Sequence, residues 1–160
     1  MLSVHIVCVG KMKEKFYIGA ADEYIKRLSA YCKLTITELQ EEKLPPNPSQ
    51  GQIDAALVKE GQAIRARIPS GAHMVAMCVE GKLHSSEQLA ALVQNCEVNS
   101  AKHLVFLIGG SFGLDPALKQ ECRVRLSMSP MTFPHHLARV MLLEQIYRAF
   151  KINEGSAYHK

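Results

Sequence analysis

The residues best suited to chemistry gather in the last third of the chain. His135 and His136 stand side by side just after Pro134, at the start of a long helical pattern. A helix N-terminus disfavours a cationic imidazole, and a neutral imidazole can accept a proton. Immediately upstream, Ser127-Met128-Ser129-Pro130-Met131-Thr132-Phe133-Pro134 has neither strand nor helix periodicity. Its prolines stiffen it, and small hydroxyls alternate with Met and Phe. A fixed irregular backbone of this kind offers amide and carbonyl groups to an adenine, with Met and Phe as an apolar wall. The plainer alternative is a proline-shaped connector into a helix. Gly109-Gly110-Ser111-Phe112-Gly113 follows a run of five bulky apolar residues. Its glycines would let backbone approach a ligand, or make a tight turn. It lacks G-x-G-x-x-G spacing and a following acidic residue at the expected distance, which argues against a dinucleotide site. Gly10-Lys11 lacks the glycine-rich lead of a phosphate-binding P-loop. Tyr158-His159-Lys160 combines an aromatic, a titratable group and a cation. Such tails fray unless pinned, so a functional tail must be held, for example over a neighbouring subunit's pocket.

These candidates need a scaffold, and strand and helix patterns alternate throughout. Val4–Val9 reads as a strand ended by Gly10, and Tyr17, Ala20, Ala21, Tyr24 and Leu28 fall at helical spacing. Leu34–Leu39 alternates as a strand, the prolines of 45–48 make a loop, and Ile53 to Ile68 marks a second helix closed by Pro69 and Gly71. Met74–Val79 is a buried strand after which Gly81-Lys82 turns the chain, and Ser85 with Gln88 makes a capping box for a helix through about Asn95. Leu104–Ile108 suits a strand covered on both faces. Asp115 before Pro116 caps a short helix, Val124–Met128 is the last strand, and a helix runs from Pro134 to about Ile152. Val140, Leu143, Ile146, Tyr147 and Phe150 form its apolar face, with Glu144 and Arg148 paired on the other. The order predicts one α/β domain over 1–160, with a mostly parallel sheet and helices on both faces. Ligands then bind at the strands' carboxyl ends, which directs attention to the loops 10–15, 80–84, 109–114 and 129–135.

Composition narrows the class. Of 160 residues, 48% are hydrophobic and 21% charged, which fits a packed core and excludes a disordered chain. No apolar run reaches the ~20 residues of a membrane span, and the first residues read as a strand rather than a signal peptide. Five cysteines, odd in number and without C-x-x-C spacing, argue against a disulfide framework or zinc site and fit a reducing cytoplasm. A net charge of +4 permits an anionic partner, with a cationic surface assembled from two subunits if that partner is RNA.

Taken in order, several segments resemble the ribosomal RNA large-subunit methyltransferase H family. They are Val9-Gly10-Lys11 with Lys13-Glu14-Lys15, Gly81-Lys82 with Ser85-Ser86-Glu87, Gly109 to Leu114, Met131 to His135, Arg139 to Ala149, and Tyr158-His159-Lys160. The likeness spans essentially the whole chain and is densest from Leu104 onward. It implies a SPOUT-class fold with a C-terminal trefoil knot over roughly 73–160, a homodimer, and S-adenosylmethionine as methyl donor. It further implies methylation of N3 of a pseudouridine in 23S ribosomal RNA of the assembled ribosome, in the cytoplasm, without a metal. The implied cofactor contacts are Met77, Gly109, Met128, Ser129, Pro130, Met131, Thr132 and Phe133. Departures from the family pattern are Met77 for a common Leu, Cys78 for a frequent acidic residue, Phe112 for a polar or acidic one, and His136 for Gln.

Pseudouridine N3 carries a proton at neutral pH, so attack requires a general base. His135 is the first candidate and His159 of a partner's tail the second, with Tyr158 positioning the base. Arg139, Arg148 and Lys160 are candidates for phosphate contact, though either arginine could equally be solvated or at a dimer interface. A tRNA-directed SPOUT enzyme and a non-catalytic ribosome-assembly factor are the rivals. The terminal Tyr-His-Lys argues against the first, and the intact 127–135 loop against the second.

Overall fold

Alternating apolar strands and amphipathic helices can hide their faces only by layering, and this chain does so around a parallel sheet. A computed structural model describes residues 1–160. The elements are β1 (Ser3–Val9), α1 (Lys15–Leu28), β2 (Lys33–Leu39), α2 (Gln50–Arg65), β3 (His73–Leu83), α3 (Ser86–Val98), β4 (His103–Ile108), α4 (Pro116–Glu121), β5 (Val124–Ser127) and α5 (His135–Asn153). The sheet order is β2-β1-β4-β3-β5, and every adjacent pair is parallel. All strand carboxyl ends therefore share one edge.

The strand period of two divides the core between the two faces. Val4, Ile6 and Cys8 of β1, with Leu104, Phe106 and Ile108 of β4, pack under α1, α3 and α5. Val7, Val9, Val105 and Leu107 meet Ile64 of α2 and Leu118 of α4 on the opposite face. β4 is thus covered on both sides, which is why its sequence is continuously apolar. Helix starts follow their local chemistry. Ser85 and Gln88 close the expected capping box, and Asp115 accepts from the Ala117 amide. Ser49 and Gln52 form a second box that the neighbouring prolines obscure in the sequence.

Two elements differ from the sequence reading. Gly81-Lys82 is no chain turn. β3 bulges after Met77 and rejoins β5, pairing Lys82 with Leu126 and Leu83 with Ser127. A Cβ on Gly81 would lie 2.7 Å from the Arg125 carbonyl carbon and oxygen, so a bare Cα is what lets β5 come so close. The buried face of α5 is also rotated. It runs through Arg139, Leu142, Leu143, Ile146, Ala149 and Phe150, while Val140 and Tyr147 are only half-buried. Arg148 donates to Glu144 at 2.6 and 2.9 Å, with both side chains mostly covered rather than solvated.

Candidate active site

The loops at the carboxyl edge enclose a cleft of about 620 Å³. Its walls come from the β3 bulge (Met77 to Glu80), the end of β4 with the 109–114 loop, Leu126, and the 127–135 segment without Pro130. Of the expected cofactor residues, Met77, Gly109, Met128, Ser129, Met131, Thr132 and Phe133 are brought together here. Pro130 belongs to the same loop but does not line the cleft. The sequence reading did not single out Val79, Ile108, Lys119 and Ala138; for Ile108, its position next to the flagged glycine loop was the signal.

The two principal loops are held by their own polar groups. Ser127 Oγ donates to the Ser129 carbonyl at 3.0 Å, and the Met131 amide donates to Ser129 Oγ at 3.0 Å. Across the cleft, the Gly113 amide donates to the Gly110 carbonyl at 3.1 Å, and the Ser111 amide to Glu41 Oε1 at 2.9 Å. Gly109 is glycine for a reason internal to this loop: an added Cβ would collide with the Gly113 carbonyl. Small hydroxyls, fixed backbone and apolar side chains form a lining suited to an adenosyl group. Met131, 73% exposed, and Phe112, 49% exposed, are apolar lips that a ligand or partner would cover.

His135 stands where this cleft meets a second, polar one of about 780 Å³, lined by Gly10, Lys11, Lys13, Glu14, residues 38–41, His135 and His136. Gly10 (φ +100°) gives both imidazoles room. A Cβ there would lie 3.4 Å from His135 Nε2 and 3.7 Å from His136 Nε2. Burial, and then the neighbouring His136, push the His135 imidazole below its ordinary value. A neutral, proton-accepting ring at the junction of two clefts can serve as a base. His136, its ring 4.3 Å from that of His135, faces Glu14 Oε2 at 3.4 Å.

Arg139 is neither solvated nor on the surface, being 3% exposed. It donates to Glu38 Oε2 at 2.6 Å and to the Gly10 carbonyl at 2.9 Å. Glu38 also accepts from the Met12 amide at 2.8 Å. Burial opposes ionisation of Glu38, but the Met12 amide and Arg139 outweigh it and hold the carboxyl below its usual value. The expected phosphate contact is therefore corrected: Arg139 ties the loop after β1 to α5.

The family model described as predicted SPOUT methyltransferase matches residues 2–159. The chain belongs to the SPOUT methyltransferase family. Relatives named ribosomal RNA large subunit methyltransferase H include those of Bifidobacterium adolescentis and Clostridium botulinum strain Alaska E43, each 47% identical. That of Clostridium novyi is 46% identical. In each case 99% of this chain and all of the relative are covered.

In this SPOUT methyltransferase the tail is pinned to its own chain, away from His135. Tyr158 Oη donates to Glu144 at 3.2 Å, and its ring meets Tyr147 edge-on at 5.0 Å. Arg148 lies 4.9 Å over the Tyr158 ring and 3.0 Å from His159 Nδ1, while His159 Nε2 is 2.7 Å from Glu87. Glu144 and Arg148 are nine and thirteen positions beyond His135 on α5, about 13 and 20 Å along its axis. One chain thus does not gather His135, Tyr158 and His159 at one place. Arg148, bound to Glu144 and His159, is largely taken up by those partners, and Lys160 is exposed.

Proposed function

We propose that this methyltransferase uses S-adenosylmethionine to methylate N3 of a pseudouridine in the 23S RNA of the large ribosomal subunit, in the cytoplasm. The observation that carries the reading is His135 between an adenosine-sized cleft and an outer polar cleft. Relatives named ribosomal RNA large subunit methyltransferase H support the substrate class.

The donor supplies an electrophilic methyl group when bound. The cleft fits it: Met77, Met128, Met131 and Phe133 would flank the adenosine, and the backbone at Gly109 and Ser127–Thr132 would hydrogen-bond it. The remaining steps belong to the protein. The outer cleft receives the base, and His135, at the junction of the two clefts, accepts the N3 proton. Holding the nucleophile in line contributes up to about 10 kcal/mol.

The reading includes a symmetric homodimer and a knotted C-terminal half. In support, the 128–134 segment leaves the edge strand β5 and brings His135 and His136, at the start of α5, beside Gly10 at the end of β1. An open groove of about 490 Å³ beside α5, with Tyr24, Leu89, Met128, Val140 and Met141 on its walls, is an apolar surface that a second copy could cover.

The test is mass mapping of methyl groups on ribosomal RNA from cells with and without the protein. The expected result is loss of one methyl group from a 23S pseudouridine. Loss confined to tRNA, or no loss, refutes the reading.

A further inference from the structure

With Arg139 buried and Arg148 paired, the cations lining the outer cleft are Lys11 and Lys13 of the β1–α1 loop, alongside Glu14, Glu38 and Glu41, and Lys15 follows at the first position of α1. Lys11, Lys13, Lys15 and Phe16 are exposed, while Met12 between them is buried. Met12 is held in place, since Glu38 accepts from its amide and Arg139 donates to the Gly10 carbonyl two residues earlier. None of the three lysines forms an ion pair. The one carboxylate among them, Glu14, faces His136. Phe16 is 69% exposed, its ring 4.5 Å from that of Tyr17, which in turn stands 6.3 Å from His136. A phenylalanine 69% exposed in the first turn of α1, within five residues of three lysines that form no ion pair, contributes little apolar burial within the chain.

We infer that Lys11, Lys13, Lys15 and Phe16 form the platform that holds a single-stranded stretch of the RNA substrate, with phosphates on the lysines and one base stacked on Phe16. This rests on the ribosomal RNA reading above. Single-stranded RNA offers unstacked bases to aromatic faces and a phosphate line to cations. Lys11 and Lys13 also line the cleft that ends at His135, so a strand gripped there has its neighbouring base directed at the catalytic imidazole.

The test compares binding and methylation of purified ribosomes by the wild type, the triple variant Lys11→Gln/Lys13→Gln/Lys15→Gln, Phe16→Ala and Phe16→Trp. The triple variant should keep its S-adenosylmethionine affinity, raise KM with little change in kcat, and make the salt dependence of binding shallower by about 2 in log–log slope. Phe16→Ala should weaken binding about tenfold at unchanged slope, with Phe16→Trp restoring it. Unchanged KM and slope in the triple variant, with the wild type active, overturns the platform alone. A wild type that neither binds nor methylates ribosomes overturns the ribosomal reading and the platform with it. A change of oligomeric state in Phe16→Ala assigns that ring to a protein interface and overturns the stacking role.

Discussion

What suits His135 to the proposed role of base is its position rather than a charged partner. It is half-buried, its ring 4.3 Å from that of His136, and set on the first turn of α5, all of which favour the neutral ring. Replacing it with Ala should slow turnover by about 100-fold or more while S-adenosylmethionine affinity stays unchanged by calorimetry. Because the imidazole sits below its ordinary 6.5, the base form persists as pH falls through that value. The acid limb of kcat/KM should appear only at lower pH, and should vanish in His135→Ala. An acid limb retained in the variant would assign the base to another group. Gly109 makes a different point. Glycines in this loop read either as room for a ligand or as a tight turn, and the Cβ of Gly109→Ala meets the Gly113 carbonyl of its own loop, which favours the turn. The expected outcome is lost cofactor affinity together with about 1–3 kcal/mol of stability, seen as a lower Tm. Lost affinity at unchanged Tm would restore the ligand-space explanation.

The elements show what a one-dimensional pattern conveys and what it hides. The continuous apolar run of β4, the Ser85 capping box and the Asp115-Pro116 helix start were legible because each depends on residues adjacent in the chain. The bulge of β3 was not, because Gly81 is required by Arg125, a contact across strands far apart in sequence. The expected cofactor residues that line the cleft are named by the family resemblance; the 127–133 residues alone leave a plain connector equally open. Arg139 was misjudged although its spacing held the signal: positions 139, 142, 143, 146 and 150 fall on one helical stripe, and all are buried. An arginine on such a stripe must meet a partner inside, here Glu38. Arg139→Met should leave Glu38 without its cation and cost about 3 kcal/mol, measured by urea unfolding, with part recovered in Arg139→Met/Glu38→Gln. The pH dependence has a definite sign. Glu38 is held below its ordinary 4.5, so its stabilisation is present above that value and lost as pH falls through the folded one. In Arg139→Met this acid-side loss should shrink, and an unchanged acid limb would detach Glu38 from Arg139.

For the whole molecule, the separation of His135 from the tail decides how many chains make one site. Tyr158 and His159 are docked on Glu144, Arg148 and Glu87 of their own chain, about 13 to 20 Å along α5 from His135. If the tail serves catalysis, it must reach the outer cleft of a second copy. The symmetry of a dimer would then place each tail against the other's site. Light scattering should accordingly report a dimer at micromolar concentration. Deleting Tyr158 to Lys160 should leave S-adenosylmethionine binding intact and abolish methylation of ribosomes. Mixing separates the alternatives. When His135→Ala is combined with the tail-deleted variant and the subunits exchange, a mixed dimer carries one site with both an intact His135 and an intact tail, each from a different chain. Activity should then recover to roughly a quarter of the wild type, since half the dimers are mixed and each has one complete site. If each tail served only its own chain, every site in the mixture would lack one component, and the mixture would remain as inactive as its parents.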